Sequence, residues 1–222
     1  MIFPDGRRAM YDVRMTDRKF KDGIFCYLGQ DAVFVLNQLE GLNKADPNHI
    51  LTGHLDTEHV ATFGLSLGGI VASEACLLDQ RFRACLVLDV FMPAEVVKAG
   101  LRQPTMWISR DAETQRKEGW AAADIDEHQA TMRSVFEKLQ GDGCIVLIPG
   151  AFHANFSDFP FIAYAPLARR LGAIGPVDSQ MAHKIINAYS LAFFDKYLKR
   201  KSLGLLTGPP PYPEVSVESR QP

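Results

Sequence analysis

The sequence predicts an α/β protein, with a mostly parallel sheet and helices on both of its faces. Short apolar runs alternate with longer segments whose apolar residues recur at helical spacing. The runs are continuous rather than alternating, as strands buried on both faces are. The chain has 222 residues, 47% hydrophobic and 23% charged, enough to bury a substantial core.

In chain order, residues 1–25 are polar and weakly patterned, with a strand expected within Ala9–Met15. Ala32, Val35, Leu36, Leu39 and Leu42 place a helix over Asp31–Leu42, and NKADPN (Asn43–Asn48) is a turn. HVATFG (His59–Gly64) reads as a buried strand and Leu67–Leu78 as a helix. ACLVLD (Ala84–Asp89) and TMWIS (Thr105–Ser109) are further buried strands. Asp126–Leu139 is helical, with Met132, Val135, Phe136 and Leu139 on one face. CIVLIP (Cys144–Pro149) is the next strand, and Ser179–Tyr197 a long amphipathic helix. From Gly208 the proline-rich tail (208–222) cannot continue a helix and is expected to run extended over the surface. No repeat and no second domain is visible, so 1–222 reads as one unit.

The net charge is −2, from 24 basic and 26 acidic residues. No clustered basic excess points to a nucleic-acid partner. No apolar run reaches the roughly 18 residues of a membrane-spanning helix, and the first residues contain no apolar core of a secretory signal. A cytoplasmic location follows if Met1 is the true start, and a secreted one stays open if the chain is truncated. Cys26, Cys76, Cys85 and Cys144 match no metal spacing and read as small packed hydrophobes. No metal and no organic cofactor is implied.

The sharpest local signal is Gly64-Leu65-Ser66-Leu67-Gly68-Gly69, a G-x-S-x-G string between an expected strand and an expected helix. That frame defines the nucleophile elbow of an α/β-hydrolase fold. Glycines flank the serine because the tight turn brings backbones together. The turn exposes the Ser66 hydroxyl and aims the Leu67 N–H at the position of a developing oxyanion.

A serine hydroxyl needs a base. Of six histidines, His54 and His59 precede the elbow strand, and His128 and His183 sit in expected helices, where a surface role is expected. His153 follows the strand CIVLIP and so stands at a carboxyl end, where open α/β sheets bind ligands. Two strand-end aspartates compete to orient it. Asp89 ends ACLVLD and Asp111 follows TMWIS; both give the order Ser, Asp, His, and position alone slightly favours Asp111. Leu65, Phe91, Met92, Trp107, Phe152 and Phe156 flank the strand ends and are candidate pocket walls, with core packing the competing role. Asn155, Ser157 and Asp158 read as loop hydrogen-bonders. Phe156, Phe159, Phe161 and Tyr164 form an aromatic run expected to be core beneath a loop, with contact to lipid or an acyl chain as the alternative.

The runs FGLSLGGIVASEACLLDQRFRACLVLDVFMP and GAFHANFSDFPF resemble the plasma-type and isoform II platelet-activating factor acetylhydrolases, as does DAVFVLNQLEGLNKADPNHILTGHLDTEHVATFG before them. The resemblance covers roughly residues 28–200. It implies that the acid is Asp89, in the LD-x-x-M segment, rather than Asp111. It also implies calcium-independent hydrolysis of short or oxidised acyl esters, such as the acetyl group of a phospholipid, with interfacial lipid contact open. Two departures stand out. Leu65 occupies a position commonly histidine in that family. Several strands expected before the elbow, and an HG-type loop carrying a second oxyanion N–H, do not fit into the residues before His59. The chain therefore reads as an N-terminally truncated hydrolase, whose elbow strand would expose a sheet edge open to self-association. General carboxylesterase, cutinase-like polyester hydrolase and thioesterase activities use the same triad, and an inactive domain kept for binding is the non-enzymatic alternative.

Overall fold

A computed structural model describes residues 5–8, 18–201, 204–206, 208–213 and 215–221, with the backbone alone for 18–22. The strand expected within Ala9–Met15 lies outside the described residues. Helix α1 (Arg18–Lys44) leads to β1 (Val60–Leu65), α2 (Leu67–Leu78), β2 (Phe82–Leu88), α3 (Ala94–Ala99), β3 (Thr105–Ser109), α4 (Ala112–Glu118), α5 (Ala122–Lys138) and β4 (Gly143–Leu147). A 3₁₀ turn (His153–Phe156) and two short helices, α6 (Phe159–Ile162) and α7 (Ala165–Arg170), precede α8 (Ser179–Lys199) and β5 (Ser216–Arg220).

The sheet runs β1-β2-β3-β4-β5, with the first four strands parallel and β5 antiparallel to β4. Successive side chains of a strand point to opposite faces, and both faces are covered here. Cys85, Val87, Trp107 and Ile145 enter one core with Phe25, Leu36, Ile70 and Met132 from α1, α2 and α5. Ala84, Leu86, Leu88, Met106, Ile108 and Val146 enter the other with Ile185, Tyr189 and Phe193 from α8. The middle positions of the central strands meet apolar core on both faces, which is why the runs do not alternate.

Three elements differ from the expected ones. The first is β1, which has half-buried and exposed positions rather than the buried ones expected of His59–Gly64, since it lies at the edge of the sheet among the described residues. Helix α1 begins well before Asp31, because Phe25 and Leu28 extend the stripe of Ala32 and Leu36 against the core. The tail is not merely a surface strap: Val217 packs on the second core as β5 pairs with Cys144–Leu147. Pairing the tail with β4 covers that side of the sheet, and among the described residues β1 lies at its opposite edge, where Phe63 is exposed beside Phe194. The parallel register aligns Leu65 with Leu88, Leu88 with Ile108, and Ser109 with Leu147. Residues just past these strands therefore share one rim.

Candidate active site

Ser66 lies between β1 and α2 with φ 56 and ψ −124, left-handed backbone that a serine adopts only under constraint. The constraint is a set of backbone bonds. The Ser66 N–H donates to the Leu88 carbonyl (2.9 Å), and the Ser66 carbonyl accepts from Gly69 N–H (2.8 Å). Glycine is required at position 64, since a Cβ there would stand 2.2 Å from the Gly68 carbonyl. As the first residue of α2, Leu67 has no intrahelical acceptor for its N–H, and among the described residues none is supplied from elsewhere.

Asp89 follows β2 and is fully buried. Its Oδ2 lies 2.7 Å from His153 Nδ1. Its Oδ1 accepts from the Ser109 hydroxyl (3.0 Å), and Arg110 Nε stands 3.2 Å from Oδ1 and 3.1 Å from Oδ2. Burial works against the Asp89 anion, but the His153 imidazole and the Arg110 guanidinium outweigh it and hold the carboxyl below its ordinary range. An ionised carboxylate only accepts, so His153 must carry its proton on Nδ1, leaving the Nε2 lone pair free.

Helix α4 fixes the histidine loop. Glu118 accepts the His153 backbone N–H (3.0 Å) and pairs with the buried Arg110, while Thr114 accepts the Gly150 N–H (2.9 Å). Asn155 accepts the N–H groups of Phe152 (2.9 Å) and Gly175 (2.7 Å), and the Ser157 hydroxyl donates to Ala154, as loop-bonding roles require. Asp111 caps α4 by accepting the Thr114 N–H (2.8 Å); it makes no bond to His153 among the described residues.

Ser66, Asp89 and His153 line one cavity of about 480 Å³ with Phe91, Trp120 and His128. Among the described residues no hydrogen bond joins Ser66 to His153; such bonds are often long in unliganded sites and tighten with substrate. Of the candidate pocket walls only Phe91 lines this cavity. Met92 and Trp107 are instead core, the Trp107 N–H meeting the Met92 sulfur (3.1 Å). Phe156 and Leu65 pack on the second core, and Phe152 is buried. The aromatic run also divides: Phe156 is core as expected, but Phe159, Phe161 and Tyr164 are exposed on α6 and before α7.

The larger correction concerns His128. It is not a surface residue: it is 1% exposed, its Nε2 lies 3.0 Å from the Ser109 oxygen, and the Trp120 ring is 6.1 Å away. The available signal was its place at helical spacing in the apolar stripe of Ile125, Met132 and Val135. Arg110, Glu118 and Trp120 carried no local signal, because strand ends and a short helix bring them in only through tertiary contact.

An elbow serine between parallel strand and helix, with a buried acid and a histidine past later strands, defines an α/β-hydrolase fold. Residues 35–203 match the family described as platelet-activating factor acetylhydrolase, isoform II, and the chain belongs to that family. It is 32% identical to a platelet-activating factor acetylhydrolase of Cavia porcellus over 150 residues, 67% of this chain and 32% of that one. With the Gallus gallus enzyme of the same name it shares 28% over 176 residues, 78% of this chain and 38% of the relative. The chain thus spans about a third of the length of these relatives. In fold it is similar to a ferulic acid esterase from Streptomyces cinnamoneus, with TM-score 0.74 and 24% identity over 98% of this chain and 61% of the other.

Proposed function

We propose that this chain hydrolyses carboxylic esters through Ser66, His153 and Asp89. The observation that carries the reading is the 2.7 Å bond between His153 Nδ1 and Asp89, made on the cavity that Ser66 also lines. Ser66 Oγ attacks the ester carbonyl as His153 Nε2 takes its proton. The buried Asp89 carboxylate stabilises the imidazolium, and the Leu67 N–H donates to the oxyanion. The imidazolium then protonates the departing alcohol, and water repeats the cycle on the acyl-serine to release the acid.

Family membership supports short or oxidised acyl esters, including those of phospholipids, as substrates. Exposed Phe161, Ile162, Tyr164 and Leu171, beyond the histidine loop, support contact with a lipid interface. The likeness to a ferulic acid esterase keeps general carboxylesterase activity as the second reading. Nitrophenyl esters of increasing chain length separate the two: a steep fall beyond short acyl groups supports the first, and a flat profile the second.

A fluorophosphonate probe tests the core of the proposal, since it labels only an activated serine. Labelling confined to Ser66, with Ser66→Ala lowering kcat by roughly 10⁴-fold or more, is expected. A chain that stays unlabelled while folded is a binding domain and not an esterase.

A further inference from the structure

The Ser109 hydroxyl stands between two buried groups, 3.0 Å from Asp89 Oδ1 and 3.0 Å from His128 Nε2. A hydroxyl has one proton. The carboxylate can only accept, so that proton goes to Asp89, and the Ser109 oxygen must accept from His128. The tautomer of His128 follows: Nε2 carries its proton. Nδ1 is then a bare lone pair, and it is buried without a partner in the structure. The opposite tautomer would bury an unmet N–H there and set two acceptors against one hydroxyl proton.

We propose that His128, acting through Ser109, is a positioning residue for Asp89. Ser109 fixes Oδ1 while Arg110 Nε bridges both oxygens, and Oδ2 is left aimed at His153. Each donor in such a chain polarises the next, so the His128 N–H strengthens the Ser109–Asp89 bond although, among the described residues, no hydrogen bond joins it to Asp89 or Ser66. Every element packed around this site contributes a group. Asp89 comes from the end of β2, Arg110 from the end of β3 and His153 from the turn after β4. Glu127 is its neighbour on α5, and Asp124 lies one turn earlier on the same cavity. Burial first, and then the Arg110 guanidinium and the neighbouring His153 ring, oppose a charge on His128, while Asp89 favours it. The balance lowers its pKa to about 4 and keeps it a neutral donor at ordinary pH.

The proposal deepens the esterase reading, and its test separates the two. The His153 Nδ1 proton, shared with Asp89, should resonate far downfield in a proton NMR spectrum recorded without substrate. In His128→Leu and in Ser109→Ala that signal should broaden and exchange about tenfold faster, and ester kcat should fall roughly 10- to 100-fold at little-changed KM. In His128→Gln, whose side-chain amide can place an N–H near the Nε2 position, both should recover. Protected core amides in each variant establish that it is folded, and the conservative Ser109→Ala secures the test if the leucine variant unfolds. A Nδ1 signal unchanged in both His128→Leu and Ser109→Ala overturns the proposal. So does failure of a folded His128→Gln to recover it. If Ser66→Ala retains wild-type hydrolysis, the esterase reading fails and the NMR result still decides this one.

Discussion

At the scale of single residues, the two strand-end aspartates are separated by what surrounds them. Asp89 is buried against His153, Ser109 and Arg110, whereas Asp111 is spent on the first turn of α4. An asparagine at 89 offers His153 the wrong partner and removes one of the two carboxylates, Asp89 and Glu118, that flank the buried Arg110 cation. Asp89→Asn is therefore expected to lower kcat about 10⁴-fold and stability by roughly 1–3 kcal/mol, since Glu118 still faces Arg110. Asp111→Ala removes only a helix cap and should cost about 1 kcal/mol with kcat unchanged. Ester kinetics and urea denaturation of the two variants measure both; loss of kcat in Asp111→Ala and not in Asp89→Asn would exchange their roles. The chain position of these aspartates was legible and their burial was not. Both end strands, and position alone leaned towards Asp111; only the fold brings Arg110 and Ser109 to Asp89. His128 was misplaced for a related reason: a polar residue in an apolar helical stripe is exposed unless something inside the protein bonds it, and Ser109 belongs to another strand.

At the scale of elements, glycine had two meanings that sequence alone did not separate. Gly23, Gly29 and Gly41 all lie in α1 and lower its helix propensity, which obscured the first half of that helix. Gly29 is the residue where α1 touches α2: a Cβ there would stand 2.7 Å from Glu74 Cβ and 3.1 Å from the Glu74 backbone. Gly41 has nothing within 4 Å of such a Cβ. Alanine gains roughly 1 kcal/mol of helix propensity at either site, and overpacking a helix interface costs about 1–3 kcal/mol. Gly41→Ala should thus stabilise the chain by up to about 1 kcal/mol, and Gly29→Ala should destabilise it because the backbone of α2 cannot swing aside as a side-chain tip can. Equal thermal shifts for the two variants would mean that α1 is not seated on α2 as described. The same glycine logic was readable at Gly64, where the elbow motif states the close approach outright.

At the scale of the whole molecule, the parallel sheet was legible because the central strands carry continuous apolar runs, residues 84–88, 106–108 and 144–147, and β5 was not because only Val215 and Val217 of its segment are apolar, after a run of prolines. The buried polar network within this sheet couples global stability to pH. His128 titrates near 4 in the folded chain and near its ordinary value of 6.5 when unfolded. Between those values the unfolded chain binds more protons, so stability rises with pH across the window and is lost as pH falls through it, by about 3 kcal/mol. Glu74, buried in α2 with its carboxyl raised by burial and by Glu95, acts in the opposite sense. Its folded form holds a proton above the ordinary 4.5, so its contribution is lost as pH rises through that region. Carboxyls held low, such as Asp89, Asp79 and Asp142, act chiefly below 3.8 and leave this window clear. Urea denaturation from pH 4 to 7 should therefore show stability climbing with pH. Glu74→Gln should steepen the climb by removing the opposing group, and His128→Gln should flatten it by removing the driving one. A profile that keeps its slope in His128→Gln would place the origin of the pH dependence elsewhere in the protein, since no other buried histidine occurs among the described residues.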